Sequence, residues 1–236
     1  MKIFGLVGHP LEHSFSPRYF TEKILMEKVD ACFQLFDIDY VEEVSRLIEN
    51  EDLCGFTVTL PYKQTIIPWL DALDETAGTI GAVNVVKIDR SNAVRTIGYN
   101  TDCIGFEQSI QKYIQLYGKH ALLLGNGGAA QAVKYIFNKH QVNYRIVTRN
   151  TVLTAKDVEA ADIIVNATPL GMFPQVDTCP AIEEQWFNKH HLLFDLVYNP
   201  QQTLFLKKGQ QKGAKTVNGY EMLCLQADAA WKIWNE

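Results

Sequence analysis

The chain has 236 residues, of which 47% are hydrophobic and 21% charged, proportions that fit a folded globular protein and exclude global disorder. Twenty-two Lys and Arg against 27 Asp and Glu leave a formal charge of −5, so nucleic acid is not an expected partner. An anionic ligand must instead be met by a few placed cations and backbone amides.

In chain order, strand-like and helix-like segments alternate, which predicts an α/β protein with largely parallel sheets. Residues 2–7 read as a strand closed by Gly8. Pro17 suits the first turn of a helix running to about Lys28. A strand over 32–38, a helix over 41–50 and a strand over 55–60 follow. Pro61 is then predicted to open a helix through Asp71, and 82–88 with 95–98 to form a hairpin. From Thr101 the apolar residues Phe106, Ile110, Tyr113, Ile114 and Tyr117 fall on one helical face, which Gly118 ends. Residues 121–124 are a short apolar run of the kind that forms a buried parallel strand. A glycine loop, a helix over 129–139, a strand over 144–147, buried strands at 163–166 and 192–196, and a helix from after Gly219 to about Trp234 complete the list.

The pattern divides the chain into an N-terminal α/β domain (1–101 with 219–236) and a small second α/β domain (102–218), bridged by helices. Residues 148–162 are barely enough for one parallel crossover, so the second domain is expected to be shortened, with 152–154 as a vestigial edge strand. The five cysteines are scattered and form no CxxC pair, so neither a disulfide framework nor a zinc ribbon is expected. No run of 18 apolar residues occurs, and the N-terminal apolar run is too short for a signal peptide; a cytoplasmic protein without a membrane partner is the expectation.

Gly125-Asn126-Gly127-Gly128-Ala129 follows a predicted strand and opens a predicted helix. Glycine permits the tight turn and lets backbone approach a pyrophosphate, while the helix start supplies free N–H groups. The bland alternative is a plain strand–helix turn. The next strand ends in Thr148-Arg149-Asn150. An NAD site usually carries an acid there; Arg149 suits a 2′-phosphate, hence NADP, although an exposed arginine at a strand end is common.

In the first domain, Ser14 and Ser16 are two residues apart, as are Thr57 and Thr59. Lys63 follows Pro61, Asn84 interrupts an apolar strand, and Asp102 stands at a helix start. Ser16 and Asp102 also read as helix caps, and Lys63 as a solvated lysine. Together these groups could converge on a polyhydroxylated anionic small molecule. A Lys–Asp pair beside a nicotinamide is a credible proton relay.

Taken in order, these segments resemble one family, the shikimate dehydrogenases. The carriers are His13-Ser14-Phe15-Ser16-Pro17, Thr59-Leu60-Pro61-Tyr62-Lys63, Gly81-Ala82-Val83-Asn84, Asn100-Thr101-Asp102 and the glycine loop. To these are added Asn166-Ala167-Thr168-Pro169-Leu170-Gly171-Met172, Asp195-Leu196-Val197-Tyr198, and the run from Gly219 to Ala227. The resemblance implies NADPH-dependent reduction of 3-dehydroshikimate to shikimate in aromatic amino-acid precursor synthesis, with 1–101 and 219–236 as an N-terminal α/β substrate domain and 102–218 as a small Rossmann-like NADP-binding domain. It implies Lys63 and Asp102 as the catalytic pair and Ser14 and Ser16 on the substrate carboxylate. Thr59, Asn84, Tyr198 and Gln226 would line the ring. Gly125, Asn126, Gly127, Gly128, Ala129, Thr148, Arg149 and Thr168 would hold the cofactor, with Met172 and Gly219 near the nicotinamide. No metal is implied, and a homodimer is left open. The chain departs from the family by Thr57 and Thr148 where relatives usually have Asn, by a short segment after Asn150, and by ending soon after Gln226. The competing readings are a quinate/shikimate dehydrogenase, which Arg149 disfavours, and a non-catalytic NADP- or metabolite-sensing protein, which Lys63 and Asp102 disfavour.

Overall fold

The structure is a computed structural model that describes residues 1–11 and 15–236. Two compact units are present, Met1–Thr101 with Ala227–Glu236, and Asp102–Gln226.

The first unit runs β1 (Lys2–Gly8), α1 (Ser16–Glu27), β2 (Ala31–Asp37), a 3-10 turn at Val41–Glu43 leading into α2 (Val44–Ile48), and β3 (Leu53–Val58). It continues through a 3-10 turn at Ile67–Trp69, β4 (Ala72–Leu73), α3 (Glu75–Ile80), β5 (Val85–Asp89) and β6 (Arg95–Tyr99). The sheet order is β2-β1-β3-β5-β6-β4. β1 pairs in parallel with β2 and β3, whereas β5 is antiparallel to both neighbours, the predicted hairpin accounting for one of these pairings. One face buries Val7, Phe56, Val58, Tyr62, Ile66 and Val86. The other buries Phe4 and Phe20 against Trp231 and Trp234 of the chain's last helix, and the Trp234 indole N–H donates to Val86 O at 3.0 Å.

The helix predicted after Pro61 does not form. Residues 61–66 make turns, and the segment ends in the 3-10 turn around Pro68. After one four-residue bond, Ile66 N–H to Tyr62 O at 3.0 Å, the backbone reaches back only three residues, Trp69 N–H to Ile66 O and Leu70 N–H to Ile67 O. Pro68 has no N–H to donate and disfavours helical geometry at Ile67, and Thr65, Ile66 and Ile67 are a β-branched run.

The second unit begins with α4 (Asp102–Ile110) and continues β7 (His120–Leu124), α5 (Gly128–Lys139), β8 (Asn143–Val147), α6 (Ala155–Glu159) and β9 (Ile163–Asn166). After a 3-10 turn at Glu184–Trp186 come β10 (Leu192–Asp195), α7 (Leu204–Gln211), β11 (Lys215–Val217) and α8 (Tyr220–Asn235). The chain passes back to the first unit within α8, after Gln226, so residues 219–226 group with the second unit and not, as the sequence pattern suggests, with the first. The sheet is parallel throughout, in the order β11-β10-β9-β7-β8. Against the doubly wound order 3-2-1-4-5-6 it lacks the third strand, which would lie beyond β8.

Residues 152–154 form no edge strand. Thr154 instead caps α6, accepting from the Asp157 N–H at 3.3 Å, while the Asp157 carboxylate accepts the Thr154 N–H at 2.8 Å in a reciprocal capping box. This one short helix is the whole crossover. α4 is also shorter than its apolar periodicity predicts. The chain leaves the helix after Ile110, Leu116 becomes buried, and Tyr117 is 75% exposed. In a continued helix Leu116 and Tyr117 would sit about 100° apart around the axis, and leaving the helix buries Leu116 while Tyr117 stays exposed.

Candidate functional site

In the first unit the hydroxyl-bearing residues fall into two kinds. Thr57 lies on β3 and is buried, and its hydroxyl donates to Gly5 O at 3.3 Å. Thr59 stands just past the end of β3, its N–H donating to Val7 O at 2.9 Å and its carbonyl accepting the Tyr62 N–H at 3.0 Å. The Thr59 methyl occupies the space a Cβ at Gly8 would need, 2.4 Å away. Its hydroxyl makes no hydrogen bond among the described residues. Ser16 is the first residue of α1, but the helix has no side-chain cap, so the capping role open to Ser16 in sequence is not taken up. Ser14 lies outside the described residues.

Lys63 is anchored through its backbone, with Lys63 O accepting the Val83 N–H at 2.7 Å. Its neighbour Tyr62 is buried, and the Tyr62 phenol donates to Ile38 O at 2.6 Å. Burial first, and then the nearby carboxylates Asp39, Glu43 and Asp37, push that phenol up, so it remains a neutral donor. Lys63 therefore projects from a turn fixed on both sides. Asn84 and Asn100 zip two backbone segments together. Asn84 Oδ1 accepts the Thr101 N–H at 2.6 Å, Asn84 Nδ2 donates to Thr101 Oγ1 at 2.9 Å, and Asn100 Nδ2 donates to Ala82 O at 2.8 Å. Asn84 thus spends much of its hydrogen-bonding capacity fixing the residue that precedes Asp102.

In the second unit Asp102 is buried at the N-terminus of α4, where the helix dipole favours a carboxylate. Gln226 is also buried. A Cβ at Gly105 of α4 would meet Gln226 Cβ at 3.1 Å, so these two helices carry Asp102 and Gln226 at close quarters. Lys63 and Asp102 belong to different units.

The glycine loop joins β7 to α5. Gly125 has φ +105°, and a Cβ there would press on Ala167 O at 3.0 Å, so both the backbone twist and the neighbouring loop require glycine. Gly127 precedes the helix without a side-chain cap, and a Cβ there would meet nothing within 4 Å. Gly127 is exposed and Gly128 behind it is buried, and the Asn126 backbone carbonyl accepts from the Gln131 amide at 3.0 Å. An anionic dinucleotide backbone fits this cradle. At the end of β8, the Thr148 N–H donates to Thr151 Oγ1 at 2.9 Å, forming a turn on which Thr148, Arg149 and Asn150 are exposed. The first acid after them, Asp157, is committed to its capping box and to Arg145 at 2.5 Å. An exposed guanidinium with no free carboxylate beside it suits a 2′-phosphate better than a 2′-hydroxyl.

The remaining site residues hang on two side chains to which sequence reasoning assigns no role. Asn166 Oδ1 accepts from the Thr168 N–H at 3.1 Å and the Thr168 hydroxyl at 2.6 Å. Its Nδ2 donates to Leu170 O at 3.2 Å and to Asp195 Oδ1 at 2.9 Å. Asp195, fully buried, also accepts the Val197 N–H at 3.0 Å and the Thr203 hydroxyl at 2.6 Å. Burial outweighs these donors and pushes the Asp195 carboxyl up to about 6. Val197 O in turn accepts the Gly219 N–H at 3.1 Å, and a Cβ at Gly219 would collide with Leu196 O at 2.1 Å. Met172 is 38% exposed and Tyr198 half-buried. In sequence Asn166 and Asp195 are polar residues ending two apolar strands and the first residues of two segments that carry the family resemblance, without a role of their own.

Residues 6–86 match a family model described as the shikimate dehydrogenase substrate binding domain. Over 99% of its length the chain is 36% identical to a shikimate dehydrogenase (NADP+) of Methanococcus maripaludis, of which it covers 91%. The chain belongs to the shikimate dehydrogenase family. Among solved members, a shikimate dehydrogenase in complex with NADP+ shares 33% identity at a TM-score of 0.89, over 99% of this chain and 90% of that one. The shikimate 5-dehydrogenase of Thermus thermophilus in complex with NADP(H) and shikimate shares 29% at a TM-score of 0.88, over 99% and 93%. Among the described residues no helix is long and apolar enough to cross a membrane, and no cluster of His, Cys, Asp and Glu could hold a metal ion.

Proposed function

We propose that the chain catalyses the reversible NADP(H)-linked interconversion of 3-dehydroshikimate and shikimate as a cytoplasmic enzyme. The observation that carries this reading is its full-length relation to shikimate dehydrogenases named for NADP+. Bound NADPH supplies a hydride to the substrate carbonyl carbon. Lys63 gives a proton to the carbonyl oxygen, and Asp102 is the carboxylate that orients the lysine for that step. Ser14 and Ser16 bind the substrate carboxylate. Thr59 reads a ring hydroxyl, and its uncommitted hydroxyl supports this role. Asn84, Tyr198 and Gln226 line the ring. The α5 N–H groups and residues 125–129 hold the pyrophosphate, Arg149 with Thr148 the 2′-phosphate, and Thr168, Met172 and Gly219 the nicotinamide end.

Initial rates with purified protein, crossing shikimate or quinate with NADP+ or NAD+, test the proposal. The expected result is the highest kcat/KM for shikimate with NADP+. Faster oxidation of quinate with NAD+ would replace it by the quinate-specific reading, and binding of NADP+ without turnover by the sensor reading.

A further inference from the structure

The second unit contains a buried carboxylate for which neither hydride nor proton transfer has a use. Asp195 ends β10, is fully buried, and takes part in no ion pair among the described residues. Its three donors come from three different segments. Asn166 Nδ2 belongs to the strand that enters the 167–173 loop, the Val197 N–H to the turn that carries Tyr198, and the Thr203 hydroxyl to the N-terminal cap of α7. Each donor leads outward to a residue assigned to the cofactor or substrate. Asn166 fixes both the N–H and the hydroxyl of Thr168. Val197 O receives Gly219. The Thr203 side chain lies under Gly171, where an added Cβ would meet it at 3.3 Å, one residue before Met172. The 167–173 loop is tied down again where the Phe173 N–H donates to Asn199 O at 3.0 Å, next to Tyr198.

We propose that Asp195 is a positioning residue for the nicotinamide side of the cofactor site: its carboxylate locks the 167–173 loop, the 196–199 turn and the cap of α7 into one register. Burying an unpaired carboxylate is unfavourable, and an apolar strand end would stabilise a sheet better. What the carboxylate adds is that three donors must converge on two oxygens, which allows only one arrangement of the three segments. At neutral pH the group is ionised and all three contacts are charge-assisted, hence short and directional. Thr168, Met172, Tyr198 and Gly219 thereby depend on a side chain that touches no ligand.

This inference rests on the NADP reading of the second unit. The test measures dissociation constants for NADP+ and NAD+ by fluorescence titration, on folded protein well below its melting temperature. In Asp195→Asn one acceptor becomes a donor facing Thr203, and affinity for both cofactors should fall roughly tenfold, the scale of losing one charge-assisted bond. Equal loss for the two cofactors separates this lesion from one at Arg149. Thr203 supplies a second pair of variants in case Asp195→Asn does not fold. Thr203→Ser keeps the hydroxyl and loses the methyl, so it should bind like the parent; Thr203→Val keeps the shape and loses the hydroxyl, so it should bind more weakly. A purely packing role for Thr203 predicts the reverse order, and that order would overturn the inference, as would unchanged affinity in folded Asp195→Asn. Failure of the parent protein to bind either cofactor would overturn the NADP reading and this inference with it.

Discussion

Thr57 and Thr59 are both threonines at the same end of one strand, and the structure gives them opposite duties. In Thr57→Val a nearly isosteric methyl replaces a buried hydroxyl whose one bond, to Gly5 O, is long at 3.3 Å. A net hydrogen bond is worth about 0.5–1.5 kcal/mol, and a long one lies at the low end. The expected loss is therefore about 0.5–1 kcal/mol, or roughly 1–4 °C in melting temperature for a chain of this size. KM for shikimate should rise only modestly. In Thr59→Val no bond is lost in the free protein, and the methyl that packs on Gly8 is retained, so the melting temperature should be unchanged within about 1–2 °C. The substrate, however, loses a hydroxyl partner at a site built to read it, and kcat/KM should fall at least about tenfold. Thermal melts and steady-state kinetics at saturating NADP+ on the two variants suffice. The reasoning is refuted if Thr57→Val damages kcat/KM more than Thr59→Val does, because the Thr57 hydroxyl would then serve the ligand and not the β1–β3 pair.

Three further outcomes are expected. Lys63→Ala should lower kcat by at least about 10²-fold with a smaller change in KM, read from initial rates, and an unchanged kcat would remove Lys63 from the chemistry. Arg149→Ala should weaken NADP+ by about tenfold or more while leaving NAD+ nearly untouched in a binding titration, and equal losses would contradict a 2′-phosphate contact. The folded-state pKa of Asp195 is raised, from 3.8 to about 6, so between those values the folded chain holds a proton that the unfolded chain releases. Its contribution to stability is therefore lost as pH rises through that window, by about 3 kcal/mol at most. The stability of the parent minus that of Asp195→Asn should accordingly fall between pH 4 and 6 in denaturant melts, and a flat difference would contradict the raised pKa.

The candidate residues differ in how far the chain alone reveals them. Glycines at a strand–helix junction, an arginine where an acid is usual, and a lysine just past a proline are local signals, and each follows from the chemistry of a few neighbouring residues. Asn166 and Asp195 carry no such signal. What they hold together depends on the Val197 backbone N–H and the Thr203 and Thr168 hydroxyls, which nothing in the local sequence relates to them. Ser16 reads in sequence as a cap or as a ligand contact, with the cap favoured when it is taken alone, and α1 has no side-chain cap.

By itself the sequence determined the alternation of strands and helices, the glycine loop and the shortened crossover, because those depend on periodicity, turn chemistry and the count of residues between two buried strands. Only the tertiary structure decided where elements stop and how strands pair. α4 ends at Ile110 because Leu116 has a core to enter, and the 61–71 segment coils because its backbone finds no run of donors around Pro68. The antiparallel β5 between β3 and β6 and the missing third strand beyond β8 are likewise matters of partner choice. Pairing and burial are energies of contact between distant residues, and no window of local sequence contains both partners.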